Sequence, residues 1–404
     1  MLIAGETSGD TLAAELVGEL RTRLLAESGG PTPYAQPLHT ALAPQFFGAG
    51  GPRMAAAGVD LAFDMTAHSV FGPKDVLFKL QEFRSMFKRL FRLAVERQPD
   101  AIICVDYGGF NCRFAAAIKE YVRPRLDWFH PWNPKVVQFV SPQVWASRAK
   151  RMYQIARDYD LLLSIFPFEK AWYAQRTPGL HVEFVGHPML DRYRYPAAVP
   201  ETTAATANPK SDRPRRIVLL PGSRRRELKR HLPIILPAVD RILKELPGVE
   251  TRMVLPNEKM LTAAKLLGVP AGIQVQEGGL AGALATADIA IASSGTVTVE
   301  CAFFGVPTVV LYKLSWPEFQ IARRIVTVPH IAMPNLLAGE AVFPEFIQGD
   351  ATPANVARAA LELLQDETRR AWVKARLAKA TASLGGPGAC ARAAEAVLRV
   401  LHKG

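Results

Sequence analysis

The stretch AIICVDYGGFN (101–111) decides the fold. Its five apolar residues do not alternate with polar ones, so they read as a strand buried on both faces, as in a parallel sheet. The run stops at Asp106, crosses Tyr107, Gly108 and Gly109, and becomes a new segment. Open α/β sheets place their chemistry at the carboxyl end of such a strand. From these residues alone Asp106 has two open uses, a general base or a cap for the next helix.

Similar runs flank it. KVVQFV (135–140), LLLSIF (161–166) and VEFVG (182–186) read as further parallel strands. Segments of helical period lie between them, such as Leu12, Leu16, Leu20 and Leu24, and Val76, Leu80, Phe83, Phe87 and Leu90. The alternation lapses at 196–215, a Pro-, Ala- and Thr-rich stretch without apolar period, and resumes with RIVLLPGSR (216–224), TRMVLP (251–256), ADIAIASSG (287–295) and PTVVLY (307–312). The expected fold is α/β: two doubly wound, Rossmann-like domains facing across a cleft. The divisions read as a first domain 1–195, a linker 196–215, a second domain 216–365, and C-terminal helices 366–404 packing back on the first domain or on a partner subunit. Only a few residues precede the AGETSGD loop, so the first strand is short or the chain starts further upstream.

The 404 residues suit two domains, and 49% are hydrophobic, enough for sizeable cores. No apolar run reaches the ~18 residues of a membrane span, and the first residues do not read as a signal peptide. A cytoplasmic protein is expected. Cys104, Cys112, Cys301 and Cys390 lack metal or redox spacing and read as buried thiols. The net charge of +12 attracts anions. No helix-turn-helix, aromatic RNA-binding strand or zinc finger accompanies it, so nucleic acid is not an expected partner.

Four loops carry candidate chemistry. In SSGTVTVE (293–300), Ser294, Gly295 and Thr296 open a helix whose free N–H groups favour phosphate, and Glu300 lies one turn on, placed to accept ribose hydroxyls. An ordinary capped helix with an exposed glutamate fits equally well. In LLPGSRRREL (219–228), Arg224 stands where a loop meets a helix and offers a fork for phosphate oxygens; a solvated basic turn is the alternative. AGETSGD (4–10) presents Glu6, Ser8 and Asp10 after the first strand, with Ser8 or Asp10 equally able to cap a helix. It matches neither the dinucleotide fingerprint nor a P-loop. The fourth is Asp106 itself. Displacing a nucleotide from a sugar needs a base and stabilisation of the leaving diphosphate, and these residues can supply both without a metal or other cofactor.

Taken together, AGETSGD, GAGGPRM (48–54), VDYGGFN (105–111), VSPQVWASR (140–148), PFEKAWY (167–173), VGHPM (185–189), LLPGSR, SSGTVTVE and MPNLLAG (333–339) make the chain resemble the lipid-A-disaccharide synthase family in order and spacing. That resemblance implies the B-type glycosyltransferase fold, UDP-2,3-diacylglucosamine as donor, 2,3-diacylglucosamine 1-phosphate as acceptor, and an inverting transfer that releases UDP. It implies Asp106 as catalytic aspartate, with Glu6 and Asp10 near the reacting sugars. It implies a UDP site of Arg224, Ser294, Gly295, Thr296, Glu300 and Asn335, and it is compatible with a homodimer. The family commonly has proline and a second aspartate where this chain has Gly108 and Gly109, which leaves Asp106 but undercuts a two-aspartate scheme. Ser147 replaces a common tryptophan.

Residues 73–93 form a basic amphipathic segment with Lys74, Lys79, Arg84, Lys88, Arg89 and Arg92 around an apolar face. It can cover the sheet with a solvated basic side, or lie on an anionic membrane. The resemblance implies acyl-chain contact at Val76, Leu77, Leu80 and Phe83 and a peripheral place on the inner face of the inner membrane. Two other functions share the pattern: a UDP-N-acetylglucosamine 2-epimerase, which needs no acceptor, and a catalytically silent nucleotide-sugar-binding relative.

Overall fold

The computed structural model describes residues 1–28, 43–66, 76–193 and 213–402, without the side chains of 76–80. Most of the expected linker 196–215, and the side chains of Val76, Leu77 and Leu80, lie outside the described residues. The chain divides into two compact units, Met1–Asp191 with Gly385–Gly404, and Arg192–Leu384.

The first unit holds β1 (Leu2–Ala4), β2 (Phe47–Gly50), β3 (Asp60–Asp64), β4 (Ala101–Val105), β5 (Lys135–Phe139), β6 (Leu161–Ser164) and β7 (Val182–Phe184). All pair in parallel, in the order β3-β2-β1-β4-β5-β6-β7. The second unit repeats the plan with β8 (Arg216–Leu220), β9 (Glu250–Leu255), β10 (Gln274–Glu277), β11 (Ile289–Ser293), β12 (Thr308–Tyr312) and β13 (Glu345–Ile347), in the parallel order β10-β9-β8-β11-β12-β13. Both are doubly wound sheets, as the non-alternating strands and intervening helices predict.

Helical period places the covering layers. Helix Gly108–Val122 buries Phe110, Phe114, Ile118 and Val122 at four-residue spacing. Phe87, from helix Val76–Arg97, meets Phe110 and Phe114 edge-on, each at 5.6 Å between ring centres. In the second unit helix Arg225–Glu245 buries Leu228, Leu232, Ile235, Val239 and Ile242 on its face. All four cysteines are buried thiols. Among the described residues no helix is long and apolar enough to cross a membrane.

The expected C-terminal division at 366 falls elsewhere. Helix Glu367–Ala382 stays with the second unit, and the chain returns to the first only after Leu384. The Asp191 carboxylate accepts the backbone N–H groups of Gly388 and Ala389, capping helix Ala389–His402. Arg392 Nε donates to the Val185 carbonyl at 2.8 Å.

Asp10 does not join the reacting groups expected of it. It is 1% exposed, and its carboxylate accepts the backbone N–H groups of Gly51 (2.7 Å), Arg53 (3.0 Å) and Met54 (3.1 Å). It caps helix Pro52–Ala56 from another element and ties the loop after β2 to the helix after β1. A Cβ on Gly51 would lie 2.7 Å from Asp10 Oδ2, so a glycine is needed where the carboxylate arrives. Asp10→Ala would leave three N–H groups without their anionic acceptor. We expect a loss of about 2–4 kcal/mol in unfolding free energy, measured by urea denaturation, from lost charge-assisted bonds. Unchanged stability would contradict the clamp.

Candidate active site

In both sheets the strand order reverses beside the first strand, and loops from two adjacent strand ends leave in opposite directions. In the first unit these are the ends of β1 and β4, which carry Glu6 and Asp106. The chain passes Asp106 at φ 51° and Tyr107 at φ 46°, two consecutive non-glycine residues in the left-handed region. That conformation costs about 1–2 kcal/mol per residue and must be held by its surroundings. The Asp106 N–H still bonds to the Phe139 carbonyl at 2.8 Å, so the strand ladder continues to its end. Its carbonyl has turned away and accepts Asn111 Nδ2 at 2.8 Å and Gln138 Nε2 at 3.0 Å. Tyr107 lies over Gly5, where a Cβ would come within 2.3 Å of Tyr107 Cδ1.

Burial raises the Asp106 carboxyl above its ordinary pKa, and the neighbouring Glu6 charge raises it further, while the Tyr107 backbone N–H opposes both. Glu6 is half-buried. The Glu6 charge at one strand end thus acts on the Asp106 carboxyl at the next, the electrostatic arrangement that suits Asp106 to take a proton. The VSPQVWASR and PFEKAWY motifs meet each other: Trp145 Nε1 donates to Glu169 Oε1 at 2.9 Å.

In the second unit the corresponding ends are those of β8 and β11. Arg224 caps helix Arg225–Glu245 and is over half exposed. The N–H groups of Ser223 and Arg224 donate to Glu227 Oε2 at 2.8 and 3.2 Å. These amides therefore have an internal partner, and the exposed guanidinium lies 3.4 Å from Glu227 Oε1. Buried His231 holds the loop from beneath: its ring lies 2.7 Å from the Pro221 carbonyl through Nδ1, and Nε2 accepts the Lys313 N–H at 3.2 Å.

After β11, Gly295 and Thr296 are exposed at the start of helix Val297–Phe303. Ser294 is not free to contribute its hydroxyl, which donates to the Ile331 carbonyl at 2.7 Å. Glu300 is half-buried, and burial raises its pKa against the opposing effects of the Tyr193 hydrogen bond and the Arg192 charge. The Tyr193 hydroxyl donates to Glu300 Oε1 at 2.7 Å, and the Tyr193 ring packs on Phe303 and Phe304.

Asn335 is displaced from the expected UDP site. It is wholly buried; its Oδ1 accepts the N–H groups of Val342 and Phe343, and its Nδ2 donates to the Phe343 carbonyl and Glu345 Oε1. No capacity remains for a ligand, and the side chain acts as a buckle on the chain approaching β13. Phe83 is half-buried with its ring 6.4 Å from Phe110, so it packs on the core of its unit.

Sequence reasoning missed Gln138, Asn111, Tyr193, Glu227 and His231. Glu227 had a readable signal, a carboxylate three residues after a helix start. Gln138 had another, an amide inside an apolar strand. Tyr193 had none, since its partner is more than a hundred residues away.

A family model described as lipid-A-disaccharide synthetase matches residues 1–400. The chain is 36% identical over 374 residues to the lipid-A-disaccharide synthase of Nitrosococcus oceani, covering 91% of this chain and 88% of that one. It is likewise 36% identical over 407 residues to that of Anaeromyxobacter dehalogenans, covering 100% and 97%. Among solved structures, the glycosyltransferase of kitacinnamycin superposes with a TM-score of 0.56 at 16% identity, covering 99% and 98% of the two chains. UDP-GlcNAc 2-epimerase from Neisseria meningitidis bound to UDP-GlcNAc gives 0.55 at 12%, covering 98% of each. Such distant likenesses establish the fold, which transferases and epimerases share. Sequence relationship along almost the whole chain separates them: the chain belongs to the lipid-A-disaccharide synthetase family and is a glycosyltransferase of lipid A synthesis.

Proposed function

We propose that this enzyme moves a 2,3-diacylglucosaminyl group from UDP to the 6-hydroxyl of 2,3-diacylglucosamine 1-phosphate. Asp106 takes the hydroxyl proton as the oxygen attacks the anomeric carbon. The bond to the diphosphate breaks with its electron pair leaving on UDP, and the anomeric configuration inverts. The observation that carries this reading is the half-buried Asp106 carboxyl, held in a strained turn and raised in pKa by burial and by the Glu6 charge. Strain of this kind is kept where it positions a reacting group. Asp106→Asn keeps the shape and loses the base. Turnover with both acylated substrates, followed as disaccharide phosphate and UDP in the presence of chelator, should drop ~10²–10⁴-fold. Near-parental turnover would remove Asp106 from the chemistry.

On the donor side we assign the diphosphate to Arg224 and the exposed Gly295–Thr296 turn, and the ribose hydroxyls to Glu300. Arg224 is the open cation of its loop, and Glu300 is held in a fixed orientation by Tyr193. By calorimetry, Arg224→Ala and Glu300→Ala should each weaken UDP binding by about 1.5–3 kcal/mol, the range for a hydrogen bond to a charged group. Unchanged affinity in both would displace the site.

We further infer a membrane surface as the working environment, because both substrates are acylated in this reading and helix Val76–Arg97 exposes Arg84, Lys88, Arg89 and Arg92. Its described half turns Phe83 and Phe87 toward the core, so that half contributes charge and not apolar insertion. Each cation near an anionic surface contributes ~1 kcal/mol. Exchanging Lys74, Lys79 and Arg84 for Gln should weaken binding to phosphatidylglycerol vesicles at low salt and leave UDP binding intact. Vesicle affinity indifferent to both charge and salt would refute this surface.

A further inference from the structure

Strand β5 reads Lys135, Val136, Val137, Gln138, Phe139, and Gln138 is wholly buried among its apolar neighbours. An aliphatic residue would fill that space without the desolvation that a buried amide suffers. The amide compensates through its bonds. Nε2 donates to the Asp106 carbonyl at 3.0 Å and to the Val140 carbonyl at 3.2 Å, and Oε1 accepts the Tyr159 hydroxyl at 3.0 Å. The two nearer recipients of Nε2 sit in left-handed backbone, Asp106 at φ 51° and Val140 at φ 68°, while the third, the Phe139 carbonyl at 3.5 Å, belongs to the strand itself. For a β-branched valine that region is a genuine outlier.

The geometry follows from the register. Cys104 pairs with Gln138 and Val105 with Phe139, so Asp106 and Val140 are the first residues beyond two paired strand ends. A left-handed residue there swings its carbonyl out of the ladder and leaves it in need of another donor. One side chain in β5 reaches both. Tyr159 decides which end of the amide faces the two carbonyls: with its hydroxyl donating to Oε1, the NH₂ end must face them. Asn111 adds a second donor to the Asp106 carbonyl only.

We propose that Gln138 is a positioning residue for glycosyl transfer: its buried amide, oriented by Tyr159, holds the turns after β4 and β5 in the left-handed conformation that sets Asp106 beside Glu6. The proposal rests on the reading of Asp106 as the base. Gln138 touches no substrate and acts through the backbone of the residue that does.

The charged and titratable groups around this arrangement are few. Glu6 and the Tyr107 N–H act on Asp106. On the other side Tyr159 contacts the thiols of Cys104 and Cys112, and burial raises all three, Cys104 and Tyr159 far enough to stay neutral throughout the working range. Arg151 and Asp158 act on Cys112 with opposite signs. Beyond Val140, Ser141 bonds the buried Glu169 carboxyl, which burial pushes up to about 7, so a kcat response in the range of a raised carboxyl is assigned to Asp106 only where the titration of the Asp106 carboxyl moves with it.

Gln138→Met keeps the volume and removes the donors. The full-length variant should unfold cooperatively and bind UDP normally. Its kcat should fall by ~10–10²-fold at unchanged KM, the scale of a misplaced reacting group. The acid limb of its kcat profile should also move to lower pH. An ionised base loses activity as pH falls through its pKa, and a loosened turn lets water reach Asp106 and relieves its contact with Glu6. Tyr159→Phe, a gentler change that keeps the ring, should shift both quantities in the same direction by less. Carbon-detected titration of the Asp106 carboxyl, assigned by difference with Asp106→Asn, reads the pKa without reference to turnover. If Asp106→Asn is inactive while Gln138→Met matches the parent in kcat and acid limb, the positioning role is wrong and the base survives. If Asp106→Asn stays active, the base reading fails, and the carbon titration still judges the placement. Parallel loss of stability, kcat and KM in both Gln138→Met and Tyr159→Phe, with an unmoved Asp106 titration, would make the amide a structural element only.

Discussion

β1 and β8 each lie inside their sheet with successive strands on one side and a later strand brought back to the other. From such a position the chain crosses to one face, and from the neighbouring β4 or β11 it crosses to the opposite face. The two loops cannot cover each other, and a crevice is left at the carboxyl ends. Glu6 and Asp106 occupy one crevice, Arg224 and Gly295–Thr296 the other. Buried polar groups also hold connections elsewhere in each sheet. Asp10 fixes the loop after β2 from the helix that follows β1, and Asn335 with Glu345 fixes the chain before β13.

The two crevices are held in different ways. In the first unit the turn carrying Asp106 is strained, and buried amides from Asn111 and Gln138 stabilise it by bonding the carbonyl that the strain exposes. A group fixed like this loses little freedom in a transition state. In the second unit the strand ends are relaxed and their polar groups bond one another: Glu227 with the amides of Ser223 and Arg224, Tyr193 with Glu300. In the donor site we propose, a ligand must compete with contacts already made, and would draw on the exposed guanidinium of Arg224, the Gly295–Thr296 turn and the second oxygen of Glu300.

Much of this was legible in the sequence because it is local. Buried strands of a parallel sheet do not alternate, and a polar residue closing such a run marks its carboxyl end, so Asp106, Arg224 and the 293–296 turn could be placed from pattern alone. The misplaced residues have partners that no local pattern reveals. Asp10 stands in a loop like that of Glu6, yet its three donors lie more than forty residues on. No periodicity says which carboxylate of AGETSGD turns inward. Asn335 entered the expected UDP site through the family resemblance alone, while its four bonds go to the chain that leads into β13. The C-terminal division failed for a similar reason. Nothing local to helices Glu367–Ala382 and Ala389–His402 assigns them to different units, and the second is tied to the first unit by the Asp191 cap, nearly two hundred residues earlier in the chain.

The replacement of proline and aspartate by Gly108 and Gly109 also has a physical consequence. A Cβ on Gly109 would meet no atom within 4 Å, so nothing in the packing demands a glycine there. A Cβ on Gly108 would lie 3.2 Å from Pro142, a tight but yielding contact. With two glycines at the start of helix Gly108–Val122, the turn after Asp106 gains backbone freedom that a proline would remove. The left-handed pair at Asp106 and Tyr107 must then be held by side chains, and Asn111 and Gln138 are the groups that bond it. The softer the turn, the more of its geometry depends on those buried amides. A chain with proline at position 108 would depend on them less.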